Sequence, residues 1–210
     1  SFFTAFRVSV LRVVLGAGIS LFVTVLAAYS LSQPDERFHA RRVYSWLFIV
    51  TMIFSGGLIP LFIVVKMMGI YNSIWALVFP SAVQVFNIIL MLNFFRGLPY
   101  ALTESALIDG ANHFIIMSRI YMPVSKPSLA TVGLFTIVFH WNSWFDGMVF
   151  INKPAQYPLQ TYLRNVIQSV DASSLDLNNI ELMRLISQRT LTAAQIFIAI
   201  VPILLIYPLL

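Results

Sequence analysis

An all-α fold, a polytopic bundle of membrane helices, follows from two features of this 210-residue sequence. Hydrophobic residues make up 59% of it and charged residues only 10%, with a mean hydropathy of +0.86. Soluble domains are about one-quarter charged, so this chain is built for another solvent. Apolar runs long enough to cross a bilayer as a helix, about 20 residues each, recur along it. They fall at 8–31, 43–65, 73–95, 127–151 and 190–210. Residues 1–210 read as a single transmembrane domain with no second, soluble domain. Both ends look trimmed: the chain opens abruptly on SFFTAFRVSV and stops inside the apolar run IVPILLIYPLL.

The first run is apolar apart from Arg12 and small hydroxyl residues. Arg7 and Arg12 are expected to snorkel outward, stems in the bilayer and heads in water. The short loop SQPDERFHARR carries Arg37, Arg41 and Arg42. The second run is interrupted by Gly56, Gly57 and Pro60, which predicts a helix break of the kind tolerated where neighbours re-satisfy the backbone. The third contains Pro80, Gln84 and Asn87. A half-polar stretch follows at 96–126, then the fourth run, then a long polar stretch at 152–189. The fifth run, 190–210, is uncharged.

The net charge of +5 and the pI of 9.7 would invite a nucleic-acid reading in a soluble protein. In a membrane chain they describe topology, because cytoplasmic loops collect Lys and Arg. Spans alternate sides, so 32–42 and 96–126 share one side and 152–189 lies opposite. Arg37, Arg41, Arg42, Arg96, Arg119 and Lys126 lie on the first side. Arg7, Arg12, Lys66, Lys153, Arg164, Arg184 and Arg189 lie on the other. The raw count does not orient the chain; the density of charge in short loops leans towards a cytoplasmic hairpin side. With no cysteine there is neither a disulfide framework nor a thiolate site.

The stretch ESALIDGANHFIIMSRIYMP is the least oily long segment between two apolar runs. Pro99 suits a first helical turn, and the residues from Ala101 to Leu107 include good helix formers. Asp109-Gly110 then punctuates: Gly takes positive φ and ends one helix, while Asp caps the next. A second helix follows, with Ile108, Ile115, Ile116 and Ile120 available to pack inward and Pro123 and Pro127 stopping it. Ala106, Gly110 and Ala111 keep the tip slim. A narrow, partly charged helical knob suits insertion into a cleft on a partner.

Glu104, Ala106, Asp109, Gly110, Ile120 and Pro123 stand at the spacing of the EAA loop, and this segment resembles that loop of ABC-importer permeases. Ser105 and Met122 depart from the pattern while keeping rough size and polarity. VTVLAAYSLS, FSGGLIPLFIVVKMMGIYNSIWALVFP and HWNSWFDGMVFI extend the resemblance to nearly the whole chain. They point to the carbohydrate-uptake branch, similar to the G subunit of maltose permease and to oligosaccharide permeases. The resemblance implies a bundle of ABC-importer permease type, and it makes the hairpin a cytoplasmic coupling helix that docks on an ATPase subunit. It further implies a second permease subunit, two ATPase subunits carrying ATP and Mg, and an extracytoplasmic sugar-binding protein, all at a prokaryotic inner or plasma membrane. Such permeases usually have six spans, so by this resemblance the first span and the C-terminal tail are expected to be missing.

No GxxxxGK[ST] occurs, so this chain is not expected to hydrolyse ATP or to need a cofactor of its own. His39, His113 and His140 are too scattered for a metal site. His140, Ser143 and Asp146 crowd two turns of one run, poor geometry for a hydrolytic triad. For the sugar path the candidates are Asn142, Phe145, Trp141, Trp144, Gln84 and Asn87. Sugars offer C–H faces and hydroxyls, which aromatic rings and amides match. On a continuous helix Asn142 and Phe145 share one face with Asp146 above, and Trp141 and Trp144 share another. The Asn142 face is favoured, since an amide turned to lipid lacks partners. Asp146 can also be a solvated helix end, and Gln84 and Asn87 interhelical glue. The alternative function is a self-sufficient channel or ion-coupled carrier, which would want an intramembrane ionisable relay and would leave the hairpin unexplained.

Overall fold

The computed structural model describes residues 2–34 and 38–173, with 193, 196, 197, 200 and 204 beyond them. The predicted fifth span, 190–210, and the stretch from 174 to 189 otherwise lie outside the described residues. Among the described residues every regular element is helical.

The long helix α1, Phe2–Ser32, is the central strut. Its 31 residues span about 46 Å at 1.5 Å per residue. Its buried face is a stripe of small residues at three- and four-residue spacing: Ala5, Ser9, Gly16, Ser20, Thr24 and Ala28. Small side chains let helices approach closely where lipid supplies no hydrophobic drive between them. Arg12 stands in that same stripe and is fully buried. The expectation that it snorkels is therefore corrected: its register on α1 points it into the bundle, where a partner awaits it.

Helices α2, Arg41–Ile53, and α3, Leu58–Met67, meet at 116°. The corner is Phe54 to Gly57, with Gly57 at φ +83°, a conformation that glycine adopts without penalty. Pro60 sits inside the first turn of α3, where its missing N–H costs nothing, so the glycines make the break. Short α4, Trp75–Val78, continues through a 3₁₀ turn at Phe79–Ser81 and bends by 48° into α5, Val85–Arg96.

Helix α6, Ala101–Ile108, and α7, His113–Ile116, form the two arms of the hairpin. The second arm does not stop at Pro123. It widens into a π-helical stretch, Met117–Tyr121, and passes into α8, Met122–Val124. Proline cannot donate to an i−4 carbonyl and clashes with it, and a π turn relieves both problems. The chain turns by 87° at Ser125 into α9, Lys126–Asn142. The fourth run is not one helix either: Ser143 is extended and α10, Phe145–Phe150, starts afresh. A 3₁₀ turn at Pro154–Gln156 leads to α11, Leu159–Ser173.

Helix α1 packs along both α5 and α9. The main core joins Val25, Ala28 and Tyr29 of α1 to Ile88, Met91 and Phe95 of α5, to Ile116 and Tyr121 of the hairpin and to Val132 of α9. Among the described residues, helix α1 alone is long and apolar enough to cross a membrane; the three bent pairs pass the same test only if each is taken as one span.

Candidate functional site

The hairpin is rooted in the core and free at its tip. Tyr121 stacks edge-on against Tyr29 of α1 at 5.1 Å and Phe95 of α5 at 5.3 Å. Its hydroxyl pairs with Thr103 Oγ1 of the opposite arm at 2.9 Å, both groups buried. The Tyr29 hydroxyl in turn meets His113 Nδ1 at 2.9 Å. An aromatic hub thus fixes both arms to α1, and Ala106 is buried under them.

The turn closes through Gly110 N–H to the Leu107 carbonyl at 3.0 Å and Ala111 N–H to the Ala106 carbonyl at 2.9 Å. Gly110 has φ +80°, so the tip needs its glycine. The second arm is capped by Asn112, whose Oδ1 accepts from Ile115 N–H at 2.9 Å, and not by Asp109 as the sequence pattern predicts. Asp109 closes α6 instead, being its C-terminal flanking residue. Glu104, Asp109, Gly110 and Pro123 are exposed and Ala111 is half-buried. Ile116 packs inward, as its spacing predicts, whereas Ile108 is 86% exposed and Phe114 63%. Ile108 belongs to the last turn before the bend, on the far side of α6 from Ala106, so it joins the acidic residues on the exposed tip.

The other candidate residues gather at the opposite end of α9, about 24 Å away along that helix at 1.5 Å per residue. A cleft of about 530 Å³ opens there between α3, α4 and the α9–α10 break. Asn142, Trp144, Phe145 and Asp146 line it with Phe139 and Leu61. That volume lies in the usual range of small-ligand sites, as does a mainly apolar lining with a few polar groups. Trp141 is elsewhere: it is buried against Ala5 and Leu159, with Phe6 edge-on at 6.0 Å. Asn142, Phe145 and Asp146 lie together in the cleft as expected, whereas the expectation that Trp141 and Trp144 share a separate face is corrected. Regular 100° spacing ends at Asn142, and the extended Ser143 swings Trp144 to the same cleft as Asn142 and Phe145.

Asp146, in the first turn of α10 and partly exposed to the cleft, is more than a solvated helix end. It receives both terminal nitrogens of Arg12, one to Oδ1 at 3.1 Å and the other to Oδ2. The first of those nitrogens also donates to the Ser143 carbonyl at 2.9 Å. Ser9 Oγ, one turn earlier on α1, accepts from Leu159 N–H at 2.7 Å. Gly16, one turn later, receives the His140 ring. Neither ring nitrogen of His140 has a hydrogen-bond partner among the described residues, so no Ser–His–Asp relay is formed. Sequence reasoning missed Arg12. The available signal was its place in the small-residue stripe, four residues before Gly16 and three after Ser9.

Gln84 and Asn87 lie off the cleft. Asn87 is buried and donates to Gln84 Oε1 at 2.5 Å and to Thr136 Oγ1 of α9 at 3.1 Å, while Thr136 donates to the Val132 carbonyl. The arrangement ties α5 to α9. Among the described residues no three acidic, His or Cys side chains gather to hold a metal.

No protein-family model matches the chain. Individual proteins do. The chain is 38% identical over 201 residues, 96% of its length and 70% of the relative's, to the polygalacturonan/rhamnogalacturonan transport system permease protein YtcP of Bacillus subtilis (strain 168). It is 39% identical over its full 210 residues, and 70% of the relative, to protein LplC of the same organism. A lower likeness, 29% over 74% of the chain and 56% of the relative, joins it to the galactooligosaccharides transport system permease protein GanQ. Among solved structures, a bacterial ABC transporter involved in the import of the acidic polysaccharide alginate matches with a TM-score of 0.84 and 33% identity, covering 99% of this chain and 73% of that one. With the all-α architecture and the hairpin in view, the chain belongs to the membrane permease family of carbohydrate ABC transporters.

Proposed function

We propose that the chain is the non-hydrolysing, multi-pass permease subunit of a prokaryotic inner- or plasma-membrane importer for an oligosaccharide. The observation that carries this reading is the hairpin: a slim, glycine-tipped knob, acidic and apolar at its exposed end, anchored to the core by buried tyrosines. Such a knob fits a cleft on a separate ATPase subunit, which supplies ATP and Mg. Its partners are a second permease subunit, two ATPase subunits and an extracytoplasmic sugar-binding protein. ATP binding draws the ATPases together and carries the hairpins with them. The permease pair then turns its cavity outward, takes sugar from the binding protein and releases it inward after hydrolysis.

The cleft at the far end of α9 is the part of the sugar path this chain contributes. Asn142 offers both hydrogen-bond donors and acceptors to hydroxyls, and Trp144 and Phe145 offer flat faces to C–H groups. Sugar identity and charge are set chiefly by the binding protein. The reading rests on two measurements. Solubilised protein should co-purify with an ATPase subunit, and recovery of a lone, uptake-competent chain favours the self-sufficient carrier instead. A screen of the cognate binding protein against neutral and acidic oligosaccharides then names the cargo.

A further inference from the structure

Arg12 is fully buried, a costly place for a charge, and sugar binding as described does not use it. A buried ion pair is seldom a source of stability, since apolar replacements of similar volume are often as good or better. Its geometry therefore asks for another account. Two of its bonds reach Asp146 and a third reaches the Ser143 carbonyl. Ser143 and Asp146 bracket Trp144 and Phe145, and Asn142 precedes them. The planar fork of an arginine holds a carboxylate and a carbonyl in one fixed arrangement, which a lysine cannot do. The break between α9 and α10 contains no proline and no glycine before Gly147, so no local residue imposes it.

We propose that Arg12 is a positioning residue: it holds the α9–α10 break open from α1 and thereby sets where Asn142, Trp144 and Phe145 stand in the cleft. Neighbouring contacts reinforce it. Ser9 fixes the start of α11, and Thr161 Oγ1 of α11 donates to the Trp144 carbonyl at 2.8 Å. Helix α1 also carries Tyr29, which grips the hairpin 17 residues further on, about 26 Å away. One continuous helix thus contacts the hairpin at one end and the cleft at the other. Arg12 is the point where the cleft is indexed to that strut.

This inference rests on the reading of the cleft as part of the sugar path, and the test separates the two. The chain has no cysteine, so a single Asn142→Cys is the only thiol it contributes. The assembled transporter, with its ATPase and partner permease cysteine-free, is labelled with a charged methanethiosulfonate in the nucleotide-free and ATP-trapped states. Lys153→Cys, exposed and off the cleft, is the control. With Arg12 and Asp146 intact, the rate at 142 should differ between states by about fivefold or more, an ordinary coupling magnitude. In Arg12→Gln/Asp146→Asn, which leaves no buried charge, that ratio should collapse to about one, with the rate at 153 and ATPase co-purification unchanged. The double variant carries the test even if Arg12→Gln alone fails to insert. A ratio at 142 that survives in the double variant overturns the positioning role and leaves the cleft reading intact. A rate at 142 that is already indifferent to nucleotide with Arg12 and Asp146 in place overturns both.

Discussion

Replacing Gly16 by alanine probes how tightly α1 and α9 are locked together. A Cβ built on Gly16 comes 2.6 Å from His140 Cε1 and 2.7 Å from both ring nitrogens. Carbon atoms rest at about 3.5–4.0 Å, so roughly 1 Å of separation is needed at this point. The His140 ring has little room to give, being 1% exposed. Over-packing of this kind costs about 1–3 kcal/mol, or a folding equilibrium weakened about 5- to 140-fold. Gly18 is the internal control, because nothing lies within 4 Å of its Cβ position. Gly18→Ala should be neutral or gain up to about 1 kcal/mol of helix propensity. Denaturant titration of the purified protein in lipid discs should show Gly16→Ala falling and Gly18→Ala holding. Shortening the ring by His140→Ala in the Gly16→Ala background should return most of the loss. Equal stability of the two alanine variants would refute the close-packed α1–α9 contact.

Gly110→Val places a β-branched residue at φ +80°, a strain of about 1–3 kcal/mol; membrane insertion should survive while ATPase pull-down weakens several-fold, and normal pull-down would sink the docking account. Glu104→Lys should uncouple transport more than Glu104→Gln, because it adds repulsion to the loss of a partner, and equal uptake by the two would show that no basic group faces it. Asn87→Leu removes bonds to Gln84 and Thr136 and should cost about 0.5–2 kcal/mol, as interhelical bonds in membranes do, with the KM for sugar unmoved; a raised KM would return Asn87 to the sugar path. Asn142→Leu should cut sugar flux while the complex still assembles, and intact flux would make that amide packing only.

What could be read from the sequence was local. The hairpin announces itself because its helix formers, its Asp-Gly turn and its spacing all lie within about two dozen consecutive residues, and each signal carries its own mechanism. The glycine break of the second run is legible for the same reason. Two failures share the opposite cause. The break after Asn142 has no proline or glycine at it, and its holder, Arg12, is 131 residues away from Ser143. Helical spacing then sorted Trp141, Asn142, Trp144 and Phe145 onto faces of a helix that ends part-way through them. Arg12 itself was legible, since a charged residue at three- and four-residue spacing within a small-residue stripe must face the neighbouring helix. A general habit of long cationic side chains outweighed that register. Pro123 misled in a smaller way: a π turn, which leaves no mark in composition, carries the helix past it.

The central claim is that this chain turns the docking of a separate ATPase into sugar import through its hairpin. Uptake into proteoliposomes tests it most directly. Vesicles hold the chain with its partner permease and ATPases, and binding protein loaded with a panel of neutral and acidic oligosaccharides is added outside. Sugar should accumulate only with ATP on the ATPase side, and Gly110→Val should abolish accumulation without removing the permease from the vesicle. Uptake by the chain alone, without nucleotide and indifferent to Gly110→Val, would contradict the account and make it a carrier in its own right.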